Sequence, residues 1–138
     1  MNWHRTLPIA GAAACAGAAA VLLAGRLRRL EVTGPSMRPT LEEGDRVLVV
    51  RDGRARPGDL VVVPDPRNAG RLVVKRVVVA SAGGLTVRGD NPSASTDSRD
   101  FGPVAASSVR GRVVYRYAPP VRRGGVHGRL RGRTPLVP

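Results

Sequence analysis

Lys75 is the sole lysine of the chain; all the other cationic side chains among its 23 are arginines. It lies in the apolar run Leu72-Val73-Val74-Lys75-Arg76-Val77-Val78-Val79. A lysine withdrawn from water can lose its proton near neutral pH and act as a base, whereas an arginine stays charged. A position that needs a neutral amine therefore needs lysine. The commoner use of a lone lysine is a stem on a strand edge with the charge in water, so this amine needs a group to act upon. Upstream, Gly34-Pro35-Ser36-Met37-Arg38-Pro39-Thr40 offers one. Ser36 follows the Gly34-Pro35 turn, and Pro39 stiffens the exit. A serine hydroxyl is a poor nucleophile until a neighbouring base takes its proton, and a neutral lysine can serve in place of histidine. His4 and His127 sit near opposite ends of the chain, which disfavours a Ser-His-Asp triad. Ser36 and Lys75 form a candidate Ser-Lys dyad.

Such a dyad needs a group to orient the lysine. The segment Gly89-Asp90-Asn91-Pro92-Ser93-Ala94-Ser95-Thr96-Asp97-Ser98-Arg99 is where one is sought. By itself it reads as a polar loop of Asx and Ser turns. Asp97 and Arg99 are spaced to pair and brace it.

The elements that must position these groups are strands. Valine clusters at 47–50, 61–63 and 77–79 suit a pleated sheet, because β-branched side chains are stiff at χ1. Six strand signals are expected, over residues 31–33, 46–51, 60–63, 71–80, 85–88 and 109–117, with turns at Gly34-Pro35, Pro57-Gly58 and Gly83-Gly84. Pro64-Asp65-Pro66 is expected to break the third. No soluble amphipathic helix competes with them. The predicted fold is all-β, a compact and mostly antiparallel domain. Alternation places Val73, Lys75, Val77 and Val79 on one face, an apolar setting that lowers an amine pKa.

Residues 7–25 carry no charge and are rich in alanine and glycine, with Arg5 before them and Arg26, Arg28 and Arg29 after. As a helix they would extend about 28 Å, near the thickness of a bilayer core. One N-terminal transmembrane helix is expected, with a cleaved signal peptide and a peripheral helix as competitors. The arginines after this segment favour a cytoplasmic main body. From Pro119 the chain is Pro, Arg and Gly without apolar periodicity and reads as a disordered basic tail. The expected organisation is a membrane anchor over 1–29, a β domain over 30–118 and a tail over 119–138.

A net charge of +13 raises nucleic acid as a partner. The arginines are scattered, however, and Trp3, Phe101, Tyr115 and Tyr117 are the only aromatic residues, too few for a stacking platform. No nucleic acid is expected; anionic lipid headgroups are a second use for the charge. Cys15 is the single cysteine, so no intrachain disulfide can form. No Cys/His cluster has metal-ligand spacing, and neither a metal nor a cofactor is expected. A monomer is expected.

Ser36-Met37-x-Pro39-Thr40-Leu41, Gly44-Asp45, Gly58-Asp59-Leu60-Val61, Lys75-Arg76-Val77 and Gly89-Asp90-Asn91…Ser95-x-Asp97-Ser98-Arg99…Phe101-Gly102 together resemble the successive boxes of the type I signal peptidase family. The resemblance covers residues 31–117. The compact form is most similar to the nickel-type superoxide dismutase maturation protease. It implies a membrane-anchored serine endopeptidase that removes a leader from a precursor protein. Ser36 would be the acylating nucleophile, Lys75 the general base and Ser95 the group that orients its amine. Asp97 and Arg99 would be a structural pair beneath the site, with Asp90 and Asn91 shaping the turn. Met37 and Pro39 would lie near the cleft or the lipid surface. Many relatives carry a serine two positions before the nucleophile to serve the oxyanion hole; this chain has Gly34 there. The alternatives are a general signal peptidase acting on exported preproteins and, from a different class, a basic membrane adaptor or nucleic-acid-binding protein without catalysis. A self-cleaving repressor protease shares the chemistry, but the N-terminal apolar segment and the Ser-Met-x-Pro-Thr box speak against it.

Overall fold

Valine-rich strands dominate the computed structural model, which describes residues 9–51 and 54–126. The helix α1 (Ile9–Arg26) leads directly into β1 (Leu27–Glu31). Then come β2 (Arg46–Val50), β3 (Leu60–Asp65), β4 (Asn68–Ser81), β5 (Gly84–Arg88), the one-turn helix α2 (Ser98–Phe101), β6 (Gly111–Ala118) and β7 (Gly124–Gly125). The strands form one sheet in the order β1-β2-β6-β3-β4-β5, with β7 on β6, and every pairing is antiparallel.

The central strand β3 is buried on both sides, and its alternation sorts the core into two clusters. Leu60 and Val62 face one way, with Val47, Val49, Val74 and Val113, under Met37 and Leu41 from the 32–45 segment. Val61 and Val63 face the other, with Val77 and Val87, under Phe101 of α2 and Val104 just after it. A sheet covered on both faces reads as continuous valine, which is why 61–63 and 77–79 look alike in the sequence.

Pro64 does not end β3. The carbonyl of Val62 accepts from Arg110 N–H on the β6 side, so the missing N–H of Pro64 also falls on that side, where pairing with β6 stops at Val62. The ladder to β4 continues past it, with Pro64 opposite Leu72.

The first strand is centred earlier than expected, and the stretch 31–33 contributes only Glu31 to it. Arg28 and Arg29, read as the flank of an anchor, are therefore strand residues. The register between β4 and β5 shifts between Val77 and Val79. One extra residue reverses the alternation, so Val79 leaves the face it was expected to share with Lys75 and stands 49% exposed.

The segment after Pro119 is a further correction. Residues 119–126 belong to the domain: Val126 is buried in the first cluster and β7 pairs with Tyr115 and Arg116. Arg122 supplies the reason, reaching Glu42 at 2.6 Å and Asp45 at 3.3 Å, while Arg116 approaches Asp45 at 3.5 Å. One of the arginines that make this stretch look like a solvated tail, Arg122, binds it to the 42–45 turn, and Arg116 of β6 meets the same turn. Residues 127–138, with His127, lie outside the described residues, as do His4 and the start of the expected apolar segment.

α1 coincides with most of that segment, and Val21, Leu22 and Leu23 on it are exposed. Among the described residues no helix is long and apolar enough to cross a membrane.

Candidate active site

Lys75 lies mid-strand on β4, paired with Val61 of β3, and is 3% exposed. Its neighbours on that face are valines, and removal from water lowers its pKa from 10.5 by disfavouring the ammonium form. The Asp97 and Asp65 carboxylates pull it back up, while the Arg71 and Arg67 guanidinium groups push it further down. Desolvation is the largest of these effects and sets the direction.

The Lys75 Nζ donates to Ser95 Oγ at 2.9 Å, and Ser95 Oγ donates to Asp97 Oδ2, also at 2.9 Å. Asp97 is wholly buried, and its carboxylate accepts in addition from Gly89 N–H at 3.0 Å and from the Arg99 backbone and guanidinium. Burial alone would raise the carboxyl pKa; the bonds from Arg99, Gly89 and Ser95 outweigh it and hold the group well below the usual carboxylate range. Asp97 also caps α2, its N–H donating to Asp100 Oδ2 in a capping box. One aspartate thus fixes both the helix turn and the serine beneath the amine.

Ser36 is half-buried on the turn after Gly34, whose φ of +80° lies in the region that glycine alone adopts freely. Asn91, far away in the chain, holds that turn: its N–H donates to the Ser36 carbonyl at 2.9 Å and its side-chain amide to the Pro35 carbonyl at 3.1 Å. Gly89 permits the approach. A Cβ there would stand 2.2 Å from Ser95 Oγ and 2.6 Å from the Ser36 carbonyl oxygen, far inside contact distance.

A cleft of about 240 Å³ has both Ser36 and Lys75 in its wall. Gly34 and Pro35 form one side of it, Leu72 and Val74 of β4 the other, and Arg67 and Arg71 stand at its lip. Met37 contributes to the wall, but it is 1% exposed and belongs to the core, so it presents nothing to a lipid surface. Pro39 is exposed, follows a cis peptide bond and stands outside the cleft.

Asp90 does more than shape a turn. It forms a bidentate pair with Arg76, at 2.8 and 2.6 Å, and accepts from Thr40 Oγ1. Arg76 also donates to the Gly58 carbonyl at 2.8 Å. This largely buried pair ties the lysine strand to the turn that carries Ser36. Arg76, Thr40 and Gly89 are therefore supports to which the sequence reading, though it quoted them in its motifs, gave no role. The signal for Arg76 was available, since an arginine inside a valine run needs a buried anion.

Residues 17–114 match the model of the Peptidase S24-like family. The chain belongs to that family. This S24-like domain is 37% identical to mitochondrial ATP-independent inner membrane protease subunit 1a of Arabidopsis thaliana over 116 residues, covering 64% of the chain and 69% of the relative. It is 28% identical to mitochondrial inner membrane protease subunit 1 of Mus musculus over 111 residues, covering 63% and 67%. The Homo sapiens protein of the same name is equally similar, with the same coverage. These relatives support the type I signal-peptidase-like grouping of the S24-like domain.

Proposed function

We propose that the chain is a membrane-associated serine endopeptidase of the signal peptidase type, removing an N-terminal leader from a precursor protein through a Ser36 acyl-enzyme. The observation that carries this reading is the buried Lys75 amine, bonded to Ser95 at 2.9 Å in the wall of a cleft that also contains Ser36. Asp97 is ionised and can only accept, so the Ser95 hydroxyl proton points to it and the Ser95 oxygen accepts from Lys75. This fixes one N–H of the amine and leaves its lone pair free for the Ser36 hydroxyl.

Lys75 takes the Ser36 proton as Oγ attacks the scissile carbonyl, and the Ser36 backbone N–H faces the developing oxyanion. The resulting ammonium gives its proton to the departing amine. A water, deprotonated by the same lysine, then releases the leader and restores the serine. With glycine at position 34, no side-chain hydroxyl from that position joins the oxyanion hole.

Two features support membrane association: the relatives are named as inner membrane proteases, and the exposed apolar side chains of α1 need a cover. We assign the segment up to Arg26 to a single-pass anchor and residues 27–126 to the peptidase. The substrate favoured by the resemblance is a nickel-type superoxide dismutase precursor. Co-expression with that precursor, and with an exported protein carrying an Ala-x-Ala leader, tests the reading. Mass spectrometry should find a shortened N-terminus on one of them with the wild-type chain and none with Ser36→Ala. Identical N-termini with both enzymes would remove the protease reading.

A further inference from the structure

A second pocket, of about 350 Å³, lies where α1 gives way to the sheet. Its apolar part is made by Val49 and Val62, both nearly closed off, with Leu30 and Leu72 beside them. Register places Arg28 opposite Val49, and alternation along β1 and β2 turns Leu30 and Arg51 to that same face. Arg110 reaches it from the start of β6, its backbone N–H held by the Val62 carbonyl at 2.8 Å. Arg29 completes a lining of four arginines and four aliphatic residues without a single acid. Leu30 and Leu72 also belong to the cleft that contains Ser36, so the two cavities share a wall.

We infer that this pocket binds an anionic phospholipid, with the phosphate between Arg28, Arg51 and Arg110 and the upper acyl chain against Leu30, Val62 and Leu72. Three observations select that occupant. The charge is of one sign, and guanidinium groups match phosphate oxygens in a bidentate manner that lysines do not. The floor is apolar and Leu72 is 46% exposed, a surface that a purely ionic ligand leaves uncovered. Arg28 follows two residues after the end of the apolar helix α1, which puts the arginine rim where headgroups begin if that helix enters a bilayer. A bound lipid would set the bilayer surface against the shared wall of the cleft, where the segment of a precursor leaving the membrane must pass.

The test needs no catalysis, so its outcome is independent of the protease reading. The full-length chain in mild detergent is titrated with phosphatidylglycerol or phosphatidylcholine, and bound lipid is counted by native mass spectrometry. The same titration is run on the Arg51→Gln/Arg110→Gln double variant, which leaves α1 untouched and changes two exposed side chains, with circular dichroism as the folding check. The wild-type chain should retain phosphatidylglycerol in preference to phosphatidylcholine. Each lost arginine should weaken that retention about fivefold, and the pair about 25-fold. Leu72→Asn should weaken it separately while keeping all four arginines. Inorganic phosphate at the same concentration should not displace the lipid. Equal retention of both lipids, undiminished retention by the double variant, or displacement by free phosphate would overturn the assignment. A glutamate-rich peptide binding in place of either lipid would also overturn it, in favour of an acidic precursor segment.

Discussion

Lys75 Nζ and Ser95 Oγ are 2.9 Å apart, and the serine hydroxyl donates its own hydrogen bond to a buried carboxylate. The amine is therefore held by an acceptor with no negative charge of its own, while the charged Asp97 is kept one residue away by Ser95. A direct Lys-Asp bond would favour the ammonium form; the interposed hydroxyl orients the amine with less of that penalty. Ser95→Ala should then fold, keep KM within about twofold and lose kcat by about 100-fold, in the range of a misplaced general base. Ser95→Thr should recover most of the loss. Steady-state kinetics on a leader peptide separate this from a structural role, which would move KM and the melting temperature together.

The direction of the Lys75 pKa makes a statement about pH. In the proposed mechanism only the neutral amine accepts the Ser36 proton, so kcat/KM should rise with pH through a midpoint below 10.5. Arg71 is among the charges that lower that midpoint. Arg71→Met should move the rising limb to higher pH and leave the high-pH plateau intact. A limb that stays in place would show that Arg71 does not act on Lys75. Stability follows the same sign. Between the folded and unfolded lysine pKa values the unfolded chain holds more protons, so stability rises with pH across that window. Asp97 acts at the other end. Its folded pKa is depressed, so its contribution is present above about pH 4 and is lost as the solution is acidified.

Gly89 is where the backbone makes room for the site. In Gly89→Ala the new methyl would meet both Ser95 Oγ and the Ser36 carbonyl. The expected cost is about 1–3 kcal/mol of stability by urea unfolding, with activity falling further than stability alone explains. A fully active and equally stable alanine variant would contradict the packing described.

The sequence pointed to the proposed chemistry and left much of its support hidden. Ser36 and Lys75 stood out because each broke the local pattern, a hydroxyl on a glycine-proline turn and a lone lysine among arginines. Strands β2 to β6 were readable from apolar, mostly valine runs between turn residues. The Val78 bulge was not, because one extra residue in a ladder leaves no mark in an all-valine stretch. Residues 119–126 misled for a physical reason: Arg122 is written like a solvated charge, and only the fold brings Glu42 and Asp45 to it. Gly89 reads as a turn residue, and its contact with the serine turn depends on segments far apart in the chain.

Arg76 and Asp90 make the firmest test of the scaffold. Asp90→Asn leaves the largely buried guanidinium without its anion. Removing one partner of such a pair costs about 3–5 kcal/mol, so the thermal midpoint should fall sharply. Replacing both residues with apolar ones should recover part of the loss. Calorimetry of the single and double variants measures this directly, and a midpoint unchanged in Asp90→Asn would contradict the pairing.

The central claim is that a neutral Lys75 activates Ser36, and covalent labelling tests it without a known substrate. The full-length protein is treated with an acylating penem-type inhibitor over a pH series, and the adduct is located by peptide mass spectrometry. The prediction is one adduct on Ser36, formed faster as pH rises, and a loss of at least about 100-fold in rate for Lys75→Arg, which keeps the charge but cannot accept the proton. Labelling of Lys75→Arg at the wild-type rate, or an adduct on a residue other than Ser36, would contradict the account.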